Sequence, residues 1–127
     1  MNLEEIRTYC LQKKGAVVDF PFDDVTMVIK VGNKMFILIA INNDPLRINL
    51  KCDPFIAEGL RERYNAVTPG YHMNKNHWNT VIMDNTISVD NIKEMIDDSY
   101  NLVFSKLSKK NKELIMQIKP LGRNFAL

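Results

Sequence analysis

The chain has 127 residues, 46% of them hydrophobic and 25% charged, with a formal net charge of +2. That is enough for one domain around a single core and sets disorder aside. No window approaches the roughly 18 to 20 uninterrupted apolar residues of a membrane helix, and so small a positive excess does not by itself announce a nucleic-acid binder.

The chain opens with MNLEEIRTYCLQKK, which carries two glutamates and lacks the basic-then-apolar pattern of a leader, so a helix in a cytoplasmic protein is expected. Leu3, Ile6, Cys10 and Lys13 recur at helical spacing over 3–13, with Asn2 to cap the start and Gly15 to end it. Two β-rich runs follow, Thr26–Val31 and Met35–Asn42, joined at Gly32-Asn33 as a hairpin. The stretch NNDP breaks the second run. RINLKC, 47–52, then points Arg47, Asn49 and Lys51 outward and Ile48, Leu50 and Cys52 inward.

Asp53-Pro54 is a helix start, a capping oxygen followed by proline at the first helical position. The helix PFIAEGLRERY is expected to pack through Phe55, Ile56, Leu60 and Tyr64, with Gly59 marking a close approach to the sheet. Pro69-Gly70 makes a turn, and HWNTVIMD, 77–84, alternates Trp78, Thr80 and Ile82 against Asn79, Val81 and Met83 as a strand with both faces covered. The clearest helix spans 90–107, with Asp90 as its cap. Its apolar stripe is Ile92, Met95, Ile96, Ser99, Val103 and Leu107, and Lys93, Glu94, Asp97 and Asp98 face water. NKELIMQI suits a last short helix.

The order α-β-β-β-α-β-α, with a further short strand in 17–21 or 86–89, predicts an α+β domain. Its two layers are one antiparallel sheet and helices packed on one face. A single domain over 1–119 leaves 120–127 as a tail. Lys106, Lys109, Lys110, Lys112, Lys119 and Arg123 face Glu113 alone near the C-terminus, so the remainder of the chain is net acidic.

Little catalytic chemistry is visible. Cys10 and Cys52 belong to no CxxC and are expected to be reduced and buried. With His72 and His77 five apart they match no zinc spacing. No GxSxG, HExxH, phosphate loop or GxGxxG occurs. A non-enzyme without metal or cofactor is expected.

Read together, LKCDP, LRERYNAVTPGYHMNKNHWNTV and IDDSYNLV resemble the MmcQ/YjbR-like family of small bacterial proteins, in the family's order and over roughly 3 to 110. The run Pro69–Val81, with proline-glycine, an aromatic, histidine, lysine and His-Trp before a strand, is its most specific part. The resemblance implies an α+β fold of CyaY-like or secretion-chaperone-like architecture. It also implies binding of double-stranded DNA through a "double wing" surface of strands and loops. Within that reading the candidate nucleic-acid-binding residues are Lys30, Arg47, Asn49, Lys51, Arg61, Arg63, His72, Asn74, Lys75 and Asn76. The basic groups suit phosphates and the asparagines suit phosphates or base edges. Tyr71, Trp78 and Val81 would anchor the segment, with its polar tip beside Arg47 and Lys51. The competing reading of each polar residue is a solvated face, and of Trp78 a core side chain.

The competing function is a protein- or small-ligand-binding module. It would use the cleft between sheet and last helix, or a patch built from Met27, Met35, Met73 and Phe125. A monomer or weak dimer, with no membrane partner, is expected in either case.

Overall fold

A strand that alternates apolar and polar residues, as RINLK does, dries one of its faces and demands a sheet with a cover on that side. The computed structural model describes residues 1–70 and 73–118 and contains that arrangement. In chain order its elements are α1 (Leu3–Leu11), β1 (Val17–Asp19), β2 (Thr26–Val31), β3 (Lys34–Ala40) and β4 (Arg47–Lys51), then α2 (Pro54–Arg63), β5 (Val67–Pro69), β6 (Trp78–Ile82), α3 (Val89–Ser105) and α4 (Lys109–Met116). The strands form one six-stranded sheet in the order β1-β2-β3-β4-β6-β5, and every neighbouring pair is antiparallel. The tail expected over 120–127 lies outside the described residues.

Helices cover one face. Ile29 of β2, Ile39 of β3, Ile48 of β4 and Val81 of β6 share a buried cluster with Ile6 and Cys10 of α1 and with the inward stripe of α3. Asn2 and Glu5 close a reciprocal capping box at the start of α1. Gly32 and Asn33 turn the β2–β3 hairpin with φ of 55° and 64°, the pair of positive values that a two-residue type I′ turn requires. Leu107 packs directly on that turn, where a Cβ on Gly32 would come within 2.6 Å of its Cδ1.

β3 carries a bulge. Ile29 pairs with Ile37 and Lys30 with Met35, which leaves Phe36 as an extra residue. Phe36 and Ile37 are therefore both fully buried on the helix side, and Phe36 meets the Tyr100 ring of α3 edge-on at 5.3 Å. The β3–β4 ladder begins only at Ile37–Leu50, so the Phe36 carbonyl and the Lys51 N–H lack a strand partner. Ser99 supplies both bonds. Its fully buried hydroxyl donates to the Phe36 carbonyl at 2.5 Å and accepts from the Lys51 N–H at 2.8 Å.

Several local expectations are corrected. Ser88, not Asp90, caps α3, its side chain accepting from the Asn91 N–H. Asp97 does not face water alone: it accepts from the Tyr9 hydroxyl at 2.6 Å and from Lys13 at 2.5 Å. Phe55 and Ile56 are 85% and 51% exposed, and α2 buries Ala57 instead. The reason is that α2 packs chiefly on β5 and β6 at the sheet margin, and the short Asn79 side chain, donating to the Ala57 carbonyl at 3.2 Å, holds that small-residue face close. Gly59 marks no close approach, since a Cβ there would meet nothing within 4 Å. β5 was not anticipated. It is a three-residue edge strand ending in Pro69, a position where a missing N–H breaks no ladder. The extra strand lies at 17–19, whereas 86–89 leads into the α3 cap.

Two substitutions test this account. Ser99→Ala removes little volume yet strands a buried carbonyl and N–H, so it should lower unfolding free energy by about 1–3 kcal/mol in urea titrations. Gly59→Ala should raise stability by about 0.5–1 kcal/mol in the same measurement, because the site is open and helical. A loss at Gly59 would show that the helix needs the glycine after all.

Candidate nucleic-acid interface

Side chains pointing away from the helices follow from the register. Lys51 pairs with Trp78, Asn49 with Thr80 and Arg47 with Ile82, and Asn49 pairs with Leu38 on the other side. Val28 and Lys30 of β2 share that outer face. At its centre Val28, Leu38 and Trp78 form a second buried cluster with half-buried Met35 and Met73 against it. Trp78 is thus a core side chain, on the face opposite the main core. Met27 belongs to the main core, so the Met27–Met35–Met73 patch does not assemble, and its fourth expected member, Phe125, lies outside the described residues.

The candidate residues divide into a row and a clamp. The row is Arg47, Asn49 and Lys51 on β4. Arg47 is exposed, Lys51 half-buried, and the Asn49 side-chain oxygen accepts from the Thr80 hydroxyl at 2.6 Å. Lys30 lies on the same face but is tied to Asp19 of β1 at 2.9 Å. That contact holds the Asp19 carboxyl below the usual carboxylate range, helped by the Phe20 N–H.

The clamp gathers around the β5–β6 connection. Arg61 donates through Nε to the buried Asn79 side-chain oxygen at 2.7 Å and through Nη2 to the Lys75 carbonyl. The Asn74 carbonyl takes the His77 and Trp78 N–H groups, and its side chain takes the Asn76 N–H at 3.0 Å. Arg61 and Asn74 therefore shape the turn that presents Lys75 and Asn76, both exposed. Arg63 sits over the Tyr64 ring at 5.1 Å. His72 and Tyr71 lie outside the described residues. The turn adjoins the Lys51 end of β4, where the Cys52 N–H donates to the His77 carbonyl at 2.7 Å. Arg47 stands at the other end, about 13 Å away along the strand, so the tip is beside Lys51 and not beside both.

Sequence reading missed three residues here. Asn79 enters the sequence reading only as one alternating position of its strand, and no local signal reveals its two partners. Lys34 was not singled out, and Lys106 figured only in the basic run near the C-terminus, yet both stand near Lys51. Partial burial first, then repulsion from Lys106 and Lys34, holds the Lys51 ammonium below its ordinary pKa. The acids of α3 lie behind the sheet, where burial and then Glu94 and Asp97 push the Asp98 carboxyl up.

Cys10 and Cys52 are both free and buried. Burial pushes the Cys10 thiol up to about 12, and burial with Asp98 and Asp53 raises Cys52. Among the described residues no group of three or more His, Cys, Asp or Glu is placed to hold a metal ion. Among the same residues no helix is long and apolar enough to cross a membrane.

Comparison with known proteins places this geometry. A family model described as YjbR matches residues 11–102. The Escherichia coli (strain K12) protein YjbR is 32% identical over 119 residues, covering 93% of this chain and 100% of that one. The YbdF protein of Escherichia coli O157:H7 is 36% identical over 96 residues, 76% of this chain and 79% of its own. Among solved structures, a DUF419-domain protein of Deinococcus radiodurans superposes with a TM-score of 0.87 at 36% identity, covering 94% of this chain and 91% of that one.

The thiols give a pH dependence with a definite sign. Cys10 has a folded-state pKa of about 12 against an ordinary thiol value of 9.0, so above pH ~9 the unfolded chain releases a proton that the folded chain keeps. Its contribution is complete below pH ~9 and is lost as pH rises towards 12. Cys52, Tyr9 and Tyr100 are raised too and act in the same direction. In reducing buffer the urea midpoint should fall between pH 9 and 11, and Cys10→Ala, less stable at pH 7, should show a shallower fall. An unchanged slope would overturn the assignment to Cys10.

Proposed function

The chain belongs to the YjbR family, and on that footing we propose that it is a non-catalytic protein that grips the phosphate backbone of double-stranded DNA. The gripping surface is the outer face of its sheet together with the turn beside Lys51. The observation that carries this is the outward row of β4: neither Arg47 nor Lys51 forms an ion pair among the described residues, whose ion pairs are Lys13–Asp97 and Lys30–Asp19. Acids cluster on α3 behind the sheet, whereas the outward neighbours of Arg47 and Lys51 on the flanking strands are uncharged. Such a distribution favours a polyanion on one side only, despite the small net charge.

Roles within the surface follow from the hydrogen bonds. Arg47 and Lys51 neutralise phosphates, and Lys75 extends the row beyond the strand end. Asn49, already bonded to Thr80, orders the row, while Arg61 shapes the turn from within. The raised thiols of Cys10 and Cys52 favour a binding role over nucleophilic catalysis, since both stay protonated at neutral pH. A cytoplasmic monomer or weak dimer is part of the same reading. A second reading, a module for an apolar protein partner, is favoured by the exposure of Phe55 and Ile56 on α2.

Salt separates the two. Affinity for mixed-sequence duplex should fall steeply between two salt concentrations. Arg47→Ala and Lys51→Ala should each weaken all sequences about equally and reduce the salt slope by about one. If both variants keep full affinity at low salt, the row is not the interface. Association that ignores salt and vanishes with Phe55→Ala would establish the apolar reading.

A further inference from the structure

Antiparallel pairing brings the start of β3, the end of β4 and the start of β6 to one margin of the sheet. Lys34, Lys51 and Trp78 occupy those positions, and Lys106, the C-cap of α3, closes over them. With Met35, Val103 and Leu107 they line one groove of about 360 Å³, within the range of small-ligand sites. Three lysines thus share one groove with apolar side chains, and none of them forms an ion pair among the described residues. Asp98 borders a separate small cavity on the inner side of Lys51 and makes no ion pair with it. The carbonyls ending α3 contribute roughly half a negative charge, well short of balancing three cations. The depressed pKa of Lys51, caused first by burial and then by Lys106 and Lys34, agrees in sign with that cluster.

We propose that this groove binds a phosphate-bearing ligand of nucleotide size, with the phosphates among Lys34, Lys51 and Lys106 and an apolar ring against Met35 and Leu107. A single carboxylate would leave two ammonium groups uncompensated, whereas a diphosphate matches the cluster in charge and in acceptor oxygens. A free nucleoside diphosphate and the phosphorylated end of a nucleic-acid strand present the same chemistry. This goes beyond the duplex surface, since it needs a pocket and a terminal phosphate rather than a face.

Trp78 is the only tryptophan of the chain and lines the groove, so its fluorescence reports occupancy directly. Titration with ADP at low salt should give a saturable one-to-one change that adenosine does not give. Lys34→Gln and Lys106→Gln should each weaken ADP about tenfold, the scale of one charge-assisted hydrogen bond, while Arg47→Gln leaves it unchanged. Both lysines are exposed, and unchanged melting temperatures verify that the variants fold. A single-stranded oligonucleotide with a 5′-phosphate, compared with its 5′-hydroxyl form, identifies the source: tighter binding of either ADP or the phosphorylated end supports the site. No saturable change with ADP or with the phosphorylated strand overturns it, as does equal affinity in both lysine variants. Duplex binding without ADP binding overturns this inference alone, and ADP binding without duplex binding supports it while removing the duplex reading.

Discussion

β4 lies between β3 and β6 with Ile48 opposite both Ile39 and Val81, and the rest of the molecule depends on that register. Side chains alternate with a period of two, so a slip of one residue would send Arg47, Asn49 and Lys51 into the main core and Ile48 and Leu50 into water. Burying two unpaired cations costs far more than any alternative ladder could return. The same alternation that dries the helix side therefore concentrates cations on the outer side. Core and candidate interface are two consequences of one pairing.

Two buried polar side chains tie the layers to that ladder. Ser99 fills the gap left by the Phe36 bulge, bonding β3 and β4 at once from a helix. Asn79 bonds the Ala57 carbonyl of α2 and takes the Arg61 guanidinium, whose other end holds the Lys75 carbonyl. Among the described residues no buried side-chain nitrogen or oxygen lacks a hydrogen-bond partner. Fully satisfied polar contacts of this kind define one arrangement of layers where apolar packing alone tolerates several. Through them the positions of α2, α3 and the β5–β6 turn become properties of the sheet.

The charge pattern has the same origin. Lys13 and Asp97 meet because α1 and α3 share the covered face. Lys30 meets Asp19 across β1 and β2, which neutralises one edge of the outer face. Arg47 and Lys51 sit on a central strand whose outward neighbours are Thr80, Trp78, Ile82 and Leu38, none of them acidic. A net charge of +2 is thus compatible with a locally cationic row, because β4 turns Arg47 and Lys51 outward among uncharged neighbours.

The sequence by itself determined the elements whose signal is local. Gly32-Asn33 specifies its hairpin because only a residue that tolerates positive φ fits there. RINLK specifies an outward cationic row through alternation, and the α3 stripe specifies its buried face through a 3.6-residue period. The α+β class followed from those elements in order. Tertiary structure alone decided which faces adjoin. Phe55 and Ile56 looked like a packing side, but α2 docks by Ala57 at the margin, where Asn79 demands a close approach. β5 was invisible because three residues ending in proline carry no periodicity, and only the open edge of β6 makes them a strand. Lys34, Lys51 and Lys106 are separated by 17 and 55 positions, and no local rule relates them. They converge because antiparallel pairing returns strand ends to one margin and the Leu107 contact with Gly32 brings the end of α3 to the same place. Local propensity acts over one or two turns of chain, whereas a site assembled from four elements exists only after long-range pairing has chosen their neighbours.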